Sequence, residues 1–552
     1  MNSIQKNLFQ LLIEFDDICK KFGINYLLAA GASLGAVRNR RFIPWDDDID
    51  LYITRENWNK LRHILESEDN VLPESRLFVY KENTPYYCNP LPRYTDVTTT
   101  TIYQSQALAG KACGQHLELF IFDPMPLGEK EKEKYLDLLH VYTELLSPYF
   151  VVNENASLDD WQKHYELYEK YSHRIDKEGE KKVIEELEKE LQQYSSEECD
   201  QYCMRWGKKN YIYDKELFEQ GQFGVFEGKE FPIGKYPESM LRVAYGDNWM
   251  YVPEYEEQVV HGGLKYADKS FYEFTDRYIN KINRGSVFKK YQKNKRNNVK
   301  VFYNKQKYLM LSAKEKVIVE SKHFIDSLNN KEKYLEELLQ NKDYTSLSIE
   351  FEKFRNLQLN SYVRKFNILV PISDNNLKTF LLSLIEQGQY YEINKYLDIR
   401  KVQEKQLPND FEDIEKLRDS CRELSIARYD KKDVDLVESL ILKYDDVYPD
   451  LLDIYRAKVW LLESNADCFE DFKNIDKYCN QILKIYPFDG EIMASQAKAK
   501  LELGERENAL KLYRKSVDNT RNALIWQKVE EESGISRIDI EREIIRELNH
   551  EN

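Results

Sequence analysis

The sequence predicts an α+β domain followed by an all-α region of repeated helices, and three observations carry that prediction. Sixteen of the 20 Gly and 11 of the 15 Pro lie at or before Gly285. Turn-formers punctuate mixed α/β folds, and their scarcity afterwards lets long helices run. Short apolar runs of strand type, "INYLL", "DDIDLYI" and "HLELFIF", interrupt the helical rhythm of the first half. The last third repeats one helical pattern at a fixed spacing. The expected boundaries are an α+β domain over 1–285, a basic linker over 286–310 and a helical domain over 311–552.

Taken in order, Leu8, Leu11, Leu12, Phe15, Ile18, Cys19 and Phe22 follow the i, i+3, i+4 rhythm of an opening amphipathic helix. "INYLLAAGAS" then reads as a buried strand leading into a glycine turn, and "DDIDLYI" and "HLELFIF" as further strands. The charged, heptad-like stretch from Leu158 to Arg205 predicts two helices, with Cys199 and Cys203 as a C-x₃-C lacking a partner pair for zinc. Gly285 to Leu309 holds eight Lys/Arg and no Asp/Glu. It reads as a solvated linker or helix face, or as a contact for a phosphate-rich polymer or anionic membrane surface. Near the end, Gly504, Ala509, Tyr513 and Ser516 resemble the second helix of a tetratricopeptide repeat. A step of 34 residues back from the last three reaches Ile475, Cys479 and Ile482, followed by Pro487. With no clustered catalytic residues there, this region is expected to serve interaction.

Composition narrows the function. Among 552 residues, 42% are apolar and 32% charged, as in soluble globular proteins. The balance of 81 basic against 96 acidic residues, −15, argues against a nucleic-acid partner. The hydrophobic run Ile24–Val37 is shorter than the roughly 20 residues that span a bilayer. Glu14, Asp16 and Asp17 interrupt the first apolar run, which a secretory leader would not tolerate. Eight irregularly spaced cysteines read as reduced thiols. A cytoplasmic protein is expected, at most peripheral at the inner face of a membrane.

The chemistry concentrates in "GASLGAVRNRRFIPWDDDIDLYI". Read as a strand from Asp46, period two places Asp46, Asp48 and Asp50 on one face and Ile49, Leu51 and Ile53 on the other. Converging like charges raise one another's pKa unless a cation neutralises them. Hard oxygen ligands in this number suit Mg²⁺ or Mn²⁺. Upstream, Gly31, Ser33 and Gly35 are small enough to let backbone N–H groups approach a phosphate. Arg38, Arg40 and Arg41 stand between and suit diphosphate oxygens.

Leu34-Gly35-Ala36, eleven residues, then Asp48-Ile49-Asp50-Leu51 resembles the nucleotidyltransferase-fold signature, with Ala36 where Gly or Ser is preferred. "GASLGAVRNRRFIPWDDDID" resembles the signature of the LicD family, bacterial phosphocholine transferases related to the fukutin-type phosphosugar transferases. "RYTDVTTTTIY" from Arg93, "HLELFIFDPMPLG" from His116 and "YGDNWMYVPEYEEQVVH" from Tyr245 to His261 resemble further family segments in order. The resemblance spans about residues 1–265. Glu118 stands where the family has Asp, and Asp123 matches a second Asp, so either is open as the third acid.

The resemblance implies an α+β nucleotidyltransferase-like domain that moves a phospho-alcohol, phosphocholine favoured, from a CDP-activated donor to a hydroxyl of a cell-surface glycan or its lipid-linked precursor. Under that reading Asp46, Asp48, Asp50 and Glu118 hold the metal and do the catalytic work. Gly31, Ser33, Gly35, Arg38, Arg93 and His261 meet the donor. Glu118 would ligate a second ion or take the acceptor's proton. A choline payload calls for aromatic neighbours, but Trp45, Tyr52, Tyr86, Tyr87 and Tyr94 are not separable by sequence, and glycerol or ribitol phosphate stay open. Two rival readings are transfer of NMP to an acceptor and a non-catalytic scaffold in glycan assembly. The helical region would then serve a protein partner or the acceptor.

Overall fold

The computed structural model describes residues 3–519 except 44, 69–70, 81–90, 103–112, 147–156, 220, 248, 251–263, 274–283, 296–297, 302, 306–321, 360–369, 405–408 and 450. The chain forms two compact units, one of residues 1–247 and 262–320, the other of 321–547 with 248–261.

The first unit opens with α1 (Ser3–Phe22), whose Leu8, Leu11, Leu12, Phe15 and Cys19 are buried as the rhythm predicts. The elements that follow are β1 (Leu27–Leu28), α2 (Ala30–Leu34), β2 (Asp50–Thr54), α3 (Arg55–Ser67), β3 (Arg76–Val79), β4 (Arg93–Asp96), β5 (Thr100–Ile102) and β6 (His116–Met125). Helices α4 (Glu129–Leu146), α5 (Leu158–Glu178) and α6 (Glu180–Leu191) lead to a hairpin of β7 (Gln201–Trp206) and β8 (Lys209–Asp214). A second hairpin of β9 (Phe223–Phe226) and β10 (Lys229–Pro232), then α7 (Pro237–Tyr245), β11 (Leu264–Tyr266) and α8 (Arg284–Lys295), complete the unit.

The main sheet runs β1-β2-β6-β4-β3, with β7 and β8 added at β6. Only β2 and β6 of this set pair in parallel; the other pairs are antiparallel. A parallel neighbour needs a long crossover, and α3 through β5 fill it. β6 is long enough to meet β4 with His116–Glu118 and β7 with Asp123–Met125.

Two cores flank the sheet. On the face carrying Tyr52 and Phe122, these rings pack with Tyr213, Met204 and Met240 of α7. The other cluster joins α4, α5 and α6 through Leu139, Tyr142, Trp161, Tyr165 and Leu187, with Cys203 from β7. Each large apolar side chain buried there contributes about 1.5–3 kcal/mol.

Two local expectations change. The two helices expected over Leu158–Arg205 are α5 and α6, but the stretch ends as a strand: Gln201–Trp206 pairs with the edge of β6, and its side chains divide between the two cores. Cys199 lies in the first cluster and Cys203 in the other. The expected basic linker begins as α8, packed on the first unit: Tyr291 stacks on Tyr165 with centroids 3.8 Å apart. Lys289, Lys290 and Lys293 lie exposed on its other side.

The second unit is α-helical over its described residues, from Lys322–Asn329 onwards. It ends in α9 (Leu452–Ser464), α10 (Phe469–Ile485), α11 (Gly490–Glu502) and α12 (Arg506–Asn519). Ile475, Cys479 and Ile482 are buried on α10, and Ala509, Tyr513 and Ser516 on α12. The two stretches 34 residues apart therefore bury corresponding positions. Gly504, at φ +80°, makes the turn between α11 and α12. Buried pairs Arg428–Asp453 (3.0 Å) and Arg456–Asp489 (2.9 Å) cross this unit. Among the described residues no helix is long and apolar enough to cross a membrane.

Candidate active site

The parallel pairing of β2 with β6 aligns Asp50 with Glu118, and the antiparallel pairing of β4 with β6 aligns Arg93 with the same Glu118. Residues in register point to one face, so Asp50, Glu118 and Arg93 form a row across three adjacent strands. Arg93 donates to Glu118 Oε1 from Nε (2.7 Å) and from Nη2. His116 faces the same oxygen with Nε2 at 3.6 Å. Burial opposes charge on Glu118, but Arg93 and His116 outweigh it and hold the carboxyl well below its ordinary range.

His116 is itself fixed. Its Nδ1 lies 2.8 Å from the Gly114 carbonyl, which can only accept, so that nitrogen carries a proton. The Cys113 thiol lies 3.4 Å from the same nitrogen. Burial disfavours the imidazolium, but Cys113 and Glu118 push its pKa up to about 9. Gly114 has no substitute here, because a Cβ would stand 1.7 Å from the Asp96 carbonyl oxygen.

The acids before β2 do not continue the strand. β2 begins at Asp50, and Asp46 to Ile49 form an irregular approach to it. Strict alternation from Asp46 is therefore replaced by a tighter grouping, in which carboxylate oxygens of Asp46, Asp47 and Asp48 all lie within 4.8 Å of one another. Asp47, absent from the expected set, is held by Lys265 of β11, whose Nζ lies 2.7 Å from both its carboxylate and its carbonyl. The Asp46 backbone is pinned by Gln5 Nε2 at its carbonyl (2.9 Å). Its N–H donates to Ile43 (3.0 Å).

The expected glycine turn is helical. Ala30, at φ +42°, swings the chain from β1 into α2, which continues as one wide turn over Gly35–Asn39. The Gly35 N–H bonds to Gly31 and Ala32 carbonyls and so is spent within the helix. The glycines matter for close approach. A Cβ on Gly31 would stand 2.1 Å from Asp46 Oδ2, and one on Gly35 2.5 Å from the Arg41 carbonyl. Ser33 is buried, and Arg38, on the wide turn, is 4% exposed.

Tyr245, at the end of α7, feels several of these charges. Burial first, then Asp46, Asp50 and Asp48, push its phenol far up, while Arg38 works the other way. Tyr245 exposes 45% of its surface, so the enclosed part is the hydroxyl end beside the acids. Its only sequence signal was its place at the head of the Tyr-Gly stretch. Tyr52 and Tyr94 are core residues, with Tyr94 centred 4.9 Å from Phe78. Tyr86, Tyr87 and His261 lie outside the described residues.

Asp123 stands apart. Five residues beyond Glu118, it falls on the other face of β6 and binds Arg55 side-on (Oδ1–Nε 2.6 Å, Oδ2–Nη2 3.0 Å). Glu188 of α6 reaches the same guanidinium at 3.3 Å. Asp96 likewise organises a turn, accepting from the Thr98 N–H (2.9 Å) and pairing with Arg76 (3.1 Å).

Residues 23–97 match the family model described as LicD/FKTN/FKRP, nucleotidyltransferase domain. The chain is 25% identical over 267 residues to the lipopolysaccharide cholinephosphotransferase LicD of Haemophilus influenzae, a match covering 46% of this chain and 91% of that protein. It is 28% identical over 148 residues to an uncharacterized protein of Rickettsia typhi, covering 27% of this chain and 36% of that one. A Rickettsia prowazekii protein, also uncharacterized, is 39% identical over 59 residues, 11% of this chain and 22% of its own length. No solved structure matches the chain. The N-terminal region of the chain is therefore similar to the LicD cholinephosphotransferase, and a helical region follows it.

Proposed function

We propose that this protein is a metal-dependent transferase that moves phosphocholine, or a related phospho-alcohol, from a CDP-activated donor to a hydroxyl of a cell-surface glycan or its lipid-linked precursor. The observation that carries this reading is the in-register pair Asp50 and Glu118 on parallel β2 and β6, with the separate group of Asp46, Asp47 and Asp48 just before β2. The similarity to a lipopolysaccharide cholinephosphotransferase supports the payload and the acceptor class.

The donor set fits a hard cation: Asp46, Asp48, Asp50 and Glu118 offer carboxylate oxygens only. These carboxylates would hold Mg²⁺ or Mn²⁺, which when bound would supply positive charge against the donor's phosphates. Arg38 adds a guanidinium on the same side, near the Tyr245 hydroxyl. Phosphoryl transfer asks mainly for positioning and charge neutralisation. The acceptor oxygen bonds to the choline-bearing phosphorus, the anhydride bond to CMP breaks, and the hydroxyl proton leaves to a base or solvent. A carboxylate already faced by two cationic side chains accepts a proton poorly. Glu118 therefore suits fixed negative charge better than general base. The protein would work in the cytoplasm, at most touching the inner membrane face, with the tetratricopeptide-like helices binding a protein partner or the acceptor.

The test is thermal shift with CDP-choline, CDP-glycerol, CDP-ribitol, CTP and ATP, each with Mg²⁺, Mn²⁺ or EDTA, joined to product analysis. Stabilisation by one CDP-alcohol that EDTA and Asp48→Asn abolish, with CMP release, is expected. Preference for a triphosphate with NMP on the acceptor would replace this reading by nucleotidyl transfer. No nucleotide effect at all would favour a scaffold.

A further inference from the structure

We infer that Arg93 is a positioning residue for Glu118, and that its guanidinium does not bind the donor's phosphates. The inference rests on the transferase reading for Glu118's role, but its geometry stands independently.

Arg93 is 5% exposed and spends its fork on one oxygen: Nε and Nη2 both donate to Glu118 Oε1. Nη1 points elsewhere, 3.6 Å from the Cys113 sulfur. A phosphate clamp needs the fork open towards the ligand, and here it is closed on a carboxylate. His116 Nε2 faces Oε1 as well. Three nitrogens thus converge on one oxygen, while Oε2 makes no hydrogen bond among the described residues. The Glu118 side chain keeps 17% exposure. The arrangement pins one oxygen and presents the other, as groups behind a metal-ligating carboxylate characteristically do.

The backbone explains why Arg93 can do this. It stands opposite Glu118 in the β4–β6 register, so the long side chain needs only to lie across one strand spacing. Glu in place of Asp has one more methylene and one more rotatable bond. Two converging donors remove the freedom that this extra bond introduces.

The experiment compares wild type, Arg93→Lys, Arg93→Met and the double variant Arg93→Met/Glu118→Gln in the full-length protein. Mn²⁺ affinity is measured by electron paramagnetic resonance, CDP-choline affinity in EDTA by calorimetry, and kcat and KM by CMP release. The double variant removes both partners of the Arg93–Glu118 pair and so guards against simple unfolding of Arg93→Met by an unpaired carboxylate. Positioning predicts a 10–100-fold loss in Mn²⁺ affinity or kcat for Arg93→Lys. Metal-free donor affinity and KM should stay within about twofold, and Arg93→Met should add little once Glu118 is Gln. Donor affinity weakened tenfold or more, with Mn²⁺ affinity intact, would make Arg93 a phosphate ligand and overturn the inference. If wild type binds no CDP-alcohol, the transferase reading fails while the Mn²⁺ titration still decides the role of Arg93.

Discussion

Replacing Asp123 by Asn separates the two acids that sequence leaves open. Asp123 and Arg55 form a two-pronged pair at 2.6 and 3.0 Å, with side chains 6% and 11% exposed. Removing one partner of such a buried pair costs about 3–5 kcal/mol, because the remaining charge stays desolvated. Glu188, 3.3 Å from Arg55 Nη1, still offers compensation, which places the loss at the low end, about 3 kcal/mol. At roughly 1.5–2 °C per kcal/mol for a unit of this size, the first unit should melt about 5 °C lower. Turnover per folded molecule at a temperature well below that midpoint should stay close to wild type. Glu118→Gln should do the reverse to activity, abolishing metal-dependent CMP release. Differential scanning calorimetry of the full chain, which resolves separate transitions of two units, and steady-state kinetics supply the readouts. An unchanged melting midpoint in Asp123→Asn would refute the structural role of the Arg55 pair. Loss of turnover as complete as in Glu118→Gln, with the fold intact, would put Asp123 into the reaction.

Two further outcomes follow from the geometry. Gly31→Ala would put a Cβ 2.1 Å from Asp46 Oδ2; since the Asp46 backbone is tied at both ends, its carboxylate must swing away. The variant should fold with about 1–3 kcal/mol lost to overpacking and bind Mn²⁺ more weakly in a paramagnetic titration, and unchanged affinity would remove Asp46 from the ligand set. The capping box of α5 carries a pH signature: Lys208 at 2.7 Å and the Ser157 N–H hold Asp160 down at about 2, from 3.8. A depressed carboxyl contributes stability above its unfolded pKa and loses it as pH falls through the folded one, so the benefit should be intact above about pH 4 and gone near pH 2. Because this site is solvated, Asp160→Ala should cost no more than about 1 kcal/mol at pH 7. Urea midpoints of the two proteins should converge on acidification, and a constant gap would exclude the box as the cause.

Much of the site was legible because its signals are local. Asp46, Asp48 and Asp50, Gly31 and Gly35, and Arg38 lie within 20 residues of one another, and their chemical types announce an oxygen-rich site between close-packed small residues. The alternation in "HLELFIF" likewise announced β6. Less legible was how the chain enters β2. Period two is a property of extended backbone, and it fails at Asp46–Ile49 because the approach is set by Gln5 and Lys265 on distant elements. The same holds for Arg93: an arginine in a segment that resembles a family motif suggests a ligand clamp, whereas its register partner is a carboxylate.

Sequence by itself determined which side chains are available: the acidic run, the small residues, the opening amphipathic helix and the change from turn-rich to helix-rich chain at Gly285. These follow from short-range rules, where each residue's type and its neighbours at two to four positions suffice. Tertiary structure alone decided which of them meet. Glu118 lies beside Asp50 because a parallel pairing sets their register across a long crossover. Asp47 is tied to Lys265, 218 residues away, and Asp123 is drawn to Arg55 on the opposite face of β6. A one-residue slip in a strand would reverse every one of those faces, so the choice between a catalytic and a structural carboxylate is made by sheet register, a property of the whole fold.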